Sequence, residues 1–100
     1  MQIIYFSEIN KMATIITITG KKENIDPANK KVFTLQELQR AVNGYIQIVP
    51  INEGEYENKL MIVDEEGLLK PYPSINVEAS RIACQRIVGQ VVIIDKDQIT

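Results

Sequence analysis

Residues 33–51 read FTLQELQRAVNGYIQIVPI, and this stretch decides the kind of fold the chain adopts. Thr34 and Glu37 hold the T-x-x-E spacing of a capping box, in which the hydroxyl accepts from the N3 amide and the carboxylate accepts from the cap amide. Phe33 before the cap and Leu38 beyond it are placed as a hydrophobic staple. Leu35, Leu38, Ala41 and Val42 then recur at helical spacing, with Gln36, Glu37, Gln39 and Arg40 on the watery side. A helix of about two turns is marginal alone in water, so its apolar stripe has to dock on a sheet. Asn43-Gly44 ends the helix, and Gly44 suits the left-handed position just past it. Ile46 and Ile48 alternate with Tyr45, Gln47 and Val49 as in a strand. Pro50 has no amide donor, so that strand ends there or lies at a sheet edge.

Downstream, Asn52 to Asn58 is polar and acidic, and Lys59 to Val63 is a strand apolar on both faces. Asp64-Glu65-Glu66-Gly67 has the form of a type I turn leading to Leu68 and Leu69 as the third strand of an antiparallel meander. Lys70-Pro71-Tyr72-Pro73-Ser74 is stiff and extended, because each proline fixes its own φ and biases the residue before it. Asn76 is placed to cap a second short helix from Val77 to about Gln85, with Ala79, Ile82 and Ala83 inward. Val91 to Ile94, apolar on both faces, belongs inside a sheet. Upstream, ATIITITG (residues 13–20) is strand-like, and Lys21 to Lys31 is a polar connection broken at Asp26-Pro27. The expected fold is α+β: a small antiparallel, or mixed, sheet of about five strands with two short helices packed on one face. The domain spans residues 12–97. Residues 1–11 form an N-terminal extension or an edge strand through Ile3 to Phe6, with Met12 a candidate start, and residues 98–100 form a frayed end.

A chain of 100 residues supplies one domain, and 45% apolar with 24% charged residues places it among ordinary globular proteins, away from the disordered class. Residues 1–50 carry six basic and four acidic side chains and residues 51–100 five basic and nine acidic, +2 against −4. Duplex nucleic acid requires a concentrated basic face. The one basic cluster, Lys21, Lys22, Lys30 and Lys31, falls in a single solvated loop, so a duplex partner is not expected. Cys84 is the single cysteine, which excludes an intramolecular disulfide and points to a reducing, cytoplasmic setting. No apolar run approaches the ~20 residues of a bilayer span. Met1 to Phe6 lacks the basic flank and long apolar core of a signal peptide.

The absence of histidine removes Ser-His and Cys-His pairs and the commonest metal ligand together. Cys84, among Ile82, Ala83 and Ile87, reads as inert core. No glycine-rich phosphate loop occurs. Carboxylates remain: Glu53, Glu55 and Glu57 in the loop, Asp64, Glu65 and Glu66 in the turn. The strand between them, at about 3.3 Å per residue, sets the groups about 16 Å apart, too far to share one ion. No acid and base are positioned together, so the chain is expected to be no enzyme, with no catalytic residue, metal or cofactor. Binding is the other possibility. Tyr45, Tyr72, Arg81 and Arg86 offer aromatic faces and guanidinium groups, which suit a nucleotide-like or other small anionic ligand. Glu53, Glu55 and Glu57 make an acidic surface for a protein partner. An unpaired strand edge is a second route to a protein partner, or to a homodimer.

The segments AVNGYIQIVP (41–50), LMIVDEEGLLK (60–70), Asn76-x-x-Ala79 and IVGQVVII (87–94) resemble a family of uncharacterised small domains from phage, plasmid and other mobile-element proteins. Thirteen residues carry the resemblance: Val42, Gly44, Tyr45, Ile46, Val49, Asp64, Glu65, Glu66, Gly67, Asn76, Ala79, Val88 and Gly89. It covers residues 13 to 95, and Asn43 stands where the family usually shows a second glycine. The resemblance implies an accessory protein of a mobile element, bacterial or phage in origin, and brings no catalytic residue with it. Each of these positions has a reading in backbone geometry, capping or turn formation, which their convergence on a deep cleft would contradict. The expected function is that of a non-enzymatic accessory binding or interaction protein. The alternative is a small-molecule binder that sequesters a nucleotide-like ligand.

Overall fold

Four consecutive apolar residues, Val91–Ile94, are satisfied only in a strand covered on both faces, and all four are buried. In the computed structural model, which describes residues 13–26, 32–71 and 73–99, this strand is the middle of a five-stranded sheet. The elements run β1 (Ala13–Ile16), β2 (Lys22–Ile25), α1 (Leu35–Val42), β3 (Ile46–Pro50), β4 (Leu60–Asp64), α2 (Val77–Ala83) and β5 (Val91–Ile94). Single 3-10 turns follow β4 at Gly67–Leu69 and β5 at Lys96–Gln98. Strand order is β2-β1-β5-β4-β3, and every pairing is antiparallel.

The helices lie on opposite faces of the sheet, not on one. Met61, Val63, Val91 and Ile93 pack with Ala79 and Ile82 of α2, whereas Ile62, Val92 and Ile94 pack with Leu38 and Val42 of α1. Successive strand residues point to opposite faces, so the apolar character of β4 and β5 on both sides demands a cover on each. Ala79 is fully buried, and its short side chain brings α2 close to the sheet.

Residues 21–31 contain a strand where a polar connection is expected. Thr17 to Gly20 turns the chain, and Lys22–Ile25 pairs with β1 from Ala13↔Ile25 to Ile16↔Lys22. β2 is an edge strand with three exposed residues, so it needs no apolar alternation. Leu68 and Leu69 form no third meander strand: they stand 56% and 81% exposed in the 3-10 turn, and the strand beside β4 is β5. Gly67 is buried against Val88, and the Lys70 amide bonds back to Gly67 O, which winds the chain up where a strand would extend it. Gln98 is not loose. It is fully buried, its Oε1 accepts from the Asp95 amide and its carbonyl accepts from the Phe33 amide. The N-terminal extension, Lys30, Lys31, Tyr72 and Thr100 lie outside the described residues.

Candidate functional site

Local chemistry builds one end of the molecule. Thr34 and Glu37 form both halves of the capping box at the start of α1, at 3.2 and 2.9 Å. At its other end Asn43, not Gly44, takes the left-handed conformation, with φ 62°. Asparagine tolerates that region, and Gly44 is needed for a different reason. A Cβ on Gly44 would meet Asp64 Oδ1 at 2.7 Å. Asp64 is buried, accepts from the Glu66 amide at 3.0 Å and forms an ion pair with Lys70. Lys70 Nζ in turn donates to Asn43 O at 3.1 Å, and Gln90 Nε2 donates to Ala41 O at 2.8 Å. The last carbonyls of α1 are therefore closed by side chains from two other segments.

Around this knot lies an open cleft in two joined parts. One part, about 490 Å³, is bounded by Arg40, Val42, Pro71, Pro73, Ser74, Val88 and Gly89. The other, about 550 Å³, is bounded by Gln39, Gly44, Tyr45 and Glu66. Arg40, Asn43, Asp64 and Lys70 line both. Eight of the thirteen residues that carry the family resemblance border the cleft: Val42, Gly44, Tyr45, Asp64, Glu66, Gly67, Val88 and Gly89. Gly44 and Asp64 do shape the backbone, and what they shape is a concave surface.

A second candidate surface is the outer edge of β3. Glu65 N donates to Tyr45 O and Ile51 N to Lys59 O, which marks the odd-numbered residues of this strand as bonded to β4 in the observed register. Antiparallel bonding alternates, so the amides and carbonyls of Ile46 and Ile48, and the carbonyl of Pro50, point away from the sheet. Pro50 occupies a position where no ladder bond is lost. β3 has no charged side chain and leaves Ile48 43% exposed. The opposite edge, β2, carries Lys22 and Glu23, the charges that discourage strand addition.

Of the four residues expected to meet one small ligand, the three that are described, Tyr45, Arg81 and Arg86, border three different hollows. Tyr45, 66% exposed, stands in the cleft. Arg81 borders a hollow with Glu53, Glu55 and Tyr56, and Arg86 a third with Gln47 and Leu68. Tyr72 lies outside the described residues, although its neighbours Pro71 and Pro73 wall the cleft. Arg40 and Lys70 are the cleft residues missed from sequence. Both read as ordinary surface cations, and only tertiary contact shows them facing one space.

The acidic loop is largely engaged within the molecule. Glu55 pairs with Lys22 at 3.6 Å and Arg81 at 3.8 Å, and Lys22 lies 5.5 Å from the Tyr56 ring centre. Glu78 joins the group, accepting from Arg81 at 2.7 and 2.9 Å and from Lys22 at 3.2 Å. The Arg81 hydrogen bonds hold the Glu78 carboxyl at about 2, and the bonds to Glu78 raise Lys22 and Arg81 above their ordinary values. Glu57 is exposed. Glu53 accepts from Cys84 Sγ at 3.5 Å and pushes the thiol pKa up. Cys84 is exposed in the left-handed C-cap of α2, φ 57°, and is not core: the helix ends at Ala83, and the cap turns the next side chain out to the surface.

Among the described residues no group of three or more Cys, Asp or Glu is placed to hold a metal ion, and no helix is long and apolar enough to cross a membrane. No buried side-chain nitrogen or oxygen among them lacks a hydrogen-bond partner. No curated protein and no solved structure matches the chain. Residues 7–99 match the family described as a domain of unknown function, DUF3846. That match takes in every strand and helix around the cleft and the β3 edge, and the chain belongs to the DUF3846 family.

Proposed function

We propose that this chain is a non-enzymatic interaction module of a phage or other mobile element, and that it binds an extended segment of a partner protein along β3. The observation that carries this reading is the outward edge of β3, where the amides and carbonyls of Ile46 and Ile48 have no partner among the described residues and lie beside an exposed apolar side chain. Strand addition draws affinity from such main-chain groups and specificity from alternate side chains. The acidic loop is the weaker protein-binding surface, since Glu55 and Glu53 already have partners. Mobile-element origin is supported by the sequence pattern alone.

The test is capture from a host extract by the wild-type chain and by Ile48→Pro. Proline at this position removes one outward donor and leaves the bonds to β4 in place, as Pro50 already does two residues on. A partner held by the wild type and lost from Ile48→Pro supports the reading. Equal retention by both proteins, or nothing held above background, contradicts it.

A further inference from the structure

The cleft at the end of α1 has unspent binding capacity, and its chemistry is specific. Its two parts, about 490 and 550 Å³, each fall within the ~300–1,000 Å³ range of small-molecule sites. An ammonium has three donors, and Lys70 spends two, on Asp64 and on Asn43 O. One donor remains. Arg40 lines both parts, and its guanidinium has no partner among the described residues. Asp64 does not oppose an incoming anion at full strength, because its oxygens are taken by Lys70 and the Glu66 amide. Tyr45 stands on the rim 66% exposed, an aromatic face beside a fork of cationic donors.

We propose that this cleft binds a phosphorylated aromatic small molecule, with its phosphate between Arg40 and Lys70 and its ring against Tyr45. A nucleoside monophosphate is the minimal form. Guanidinium and phosphate oxygens match in a two-point contact, and a planar base stacks on a tyrosine whatever its identity. The size of the ligand follows from the charges. Arg40 and Lys70 are balanced by Asp64 and Glu66 within the cleft, so one phosphate is favoured and a long polyanion is not.

The test is calorimetric titration of the full chain with adenosine monophosphate, adenosine and inorganic phosphate, alongside the variants Arg40→Ala, Tyr45→Ala and Arg86→Ala. All three side chains are exposed, and circular dichroism checks that each variant is folded. The proposal expects the monophosphate to bind at least about tenfold more tightly than adenosine or phosphate alone. Arg40→Ala is expected to weaken it by about tenfold or more and Tyr45→Ala by several-fold, with Arg86→Ala unchanged. No binding of the monophosphate, equal binding by Arg40→Ala, or equal affinity for phosphate alone overturns it. Tighter binding of a single-stranded oligonucleotide than of the monophosphate also overturns it, in favour of a nucleic-acid surface. Ile48→Pro leaves this titration unchanged, so its outcome is separate from that of strand addition.

Discussion

Gly44 and Asp64 act as one unit, although 20 positions separate them in the numbering. The buried carboxylate holds Lys70 and the Glu66 amide, and it occupies the space that any side chain at position 44 would need. Gly44→Ala is therefore expected to cost about 1–3 kcal/mol in the wild type and clearly less in an Asp64→Ala background. Denaturant unfolding of the four proteins measures this coupling, and strict additivity would show that the contact does not matter. Sequence spacing finds the capping pairs at Thr34 and Asn76 because both partners lie within one turn. It misses the reason for Gly44, whose partner is distant along the chain, and so assigns the left-handed position to the wrong residue. Glu78 gives a pH prediction. Its folded pKa, about 2, lies below the ordinary 4.5, so its contribution to stability is present above the unfolded value and is lost as pH falls from about 4.5 towards 2. Glu78→Gln is expected to flatten the acid limb of a stability–pH curve in that window. An unchanged limb would mean that the ion pairs with Arg81 and Lys22 contribute nothing to stability. Cys84, for its part, is exposed yet held as a thiol by Glu53. Its alkylation is expected to be slower than that of an unstructured cysteine, and faster in Glu53→Gln.

Elements were legible where their signals were local and buried. α1, α2, β4 and β5 follow from caps, helical spacing and apolar runs, and each lies within a few residues of its expected place. β2 was not legible because its side chains face water: pairing with β1 makes it a strand, and that pairing leaves no apolar period to read. The placement of the helices was partly legible. Strands apolar on both faces already require two covers, and a reading that puts both helices on one face leaves the other bare. Asn76 joins several elements at once. Its Oδ1 caps α2 through the Ala79 amide, and its Nδ2 donates to Ile16 O and Gly89 O at 3.0 and 2.8 Å, with the side chain fully buried. Asn76→Ala removes a cap and leaves two carbonyls short of a donor, an expected loss of about 3 kcal/mol in chemical denaturation. A loss under about 1 kcal/mol would show that water replaces the amide.

At the scale of the molecule, the sheet divides two apolar layers that share the same strands. Met61 and Ile62 are neighbours in β4, both fully buried, one under each helix. Met61→Ala and Ile62→Ala are each expected to cost about 2–5 kcal/mol, and both are expected to unfold in a single transition, since neither layer persists without β4. The cleft was not legible at this scale, because it is assembled from the ends of α1 and β4 with Pro71, Pro73 and Ser74, none of which signals a concave surface alone. The β3 edge was half legible: Pro50 marks an edge strand, but only the register shows which amides face outward. Amide hydrogen exchange along β3 in the isolated protein, read residue by residue, tests this arrangement most directly. Fast exchange at Ile46 and Ile48 alternating with slow exchange at Gln47 and Val49 is the predicted result, and uniform protection of all four amides would contradict an open docking edge.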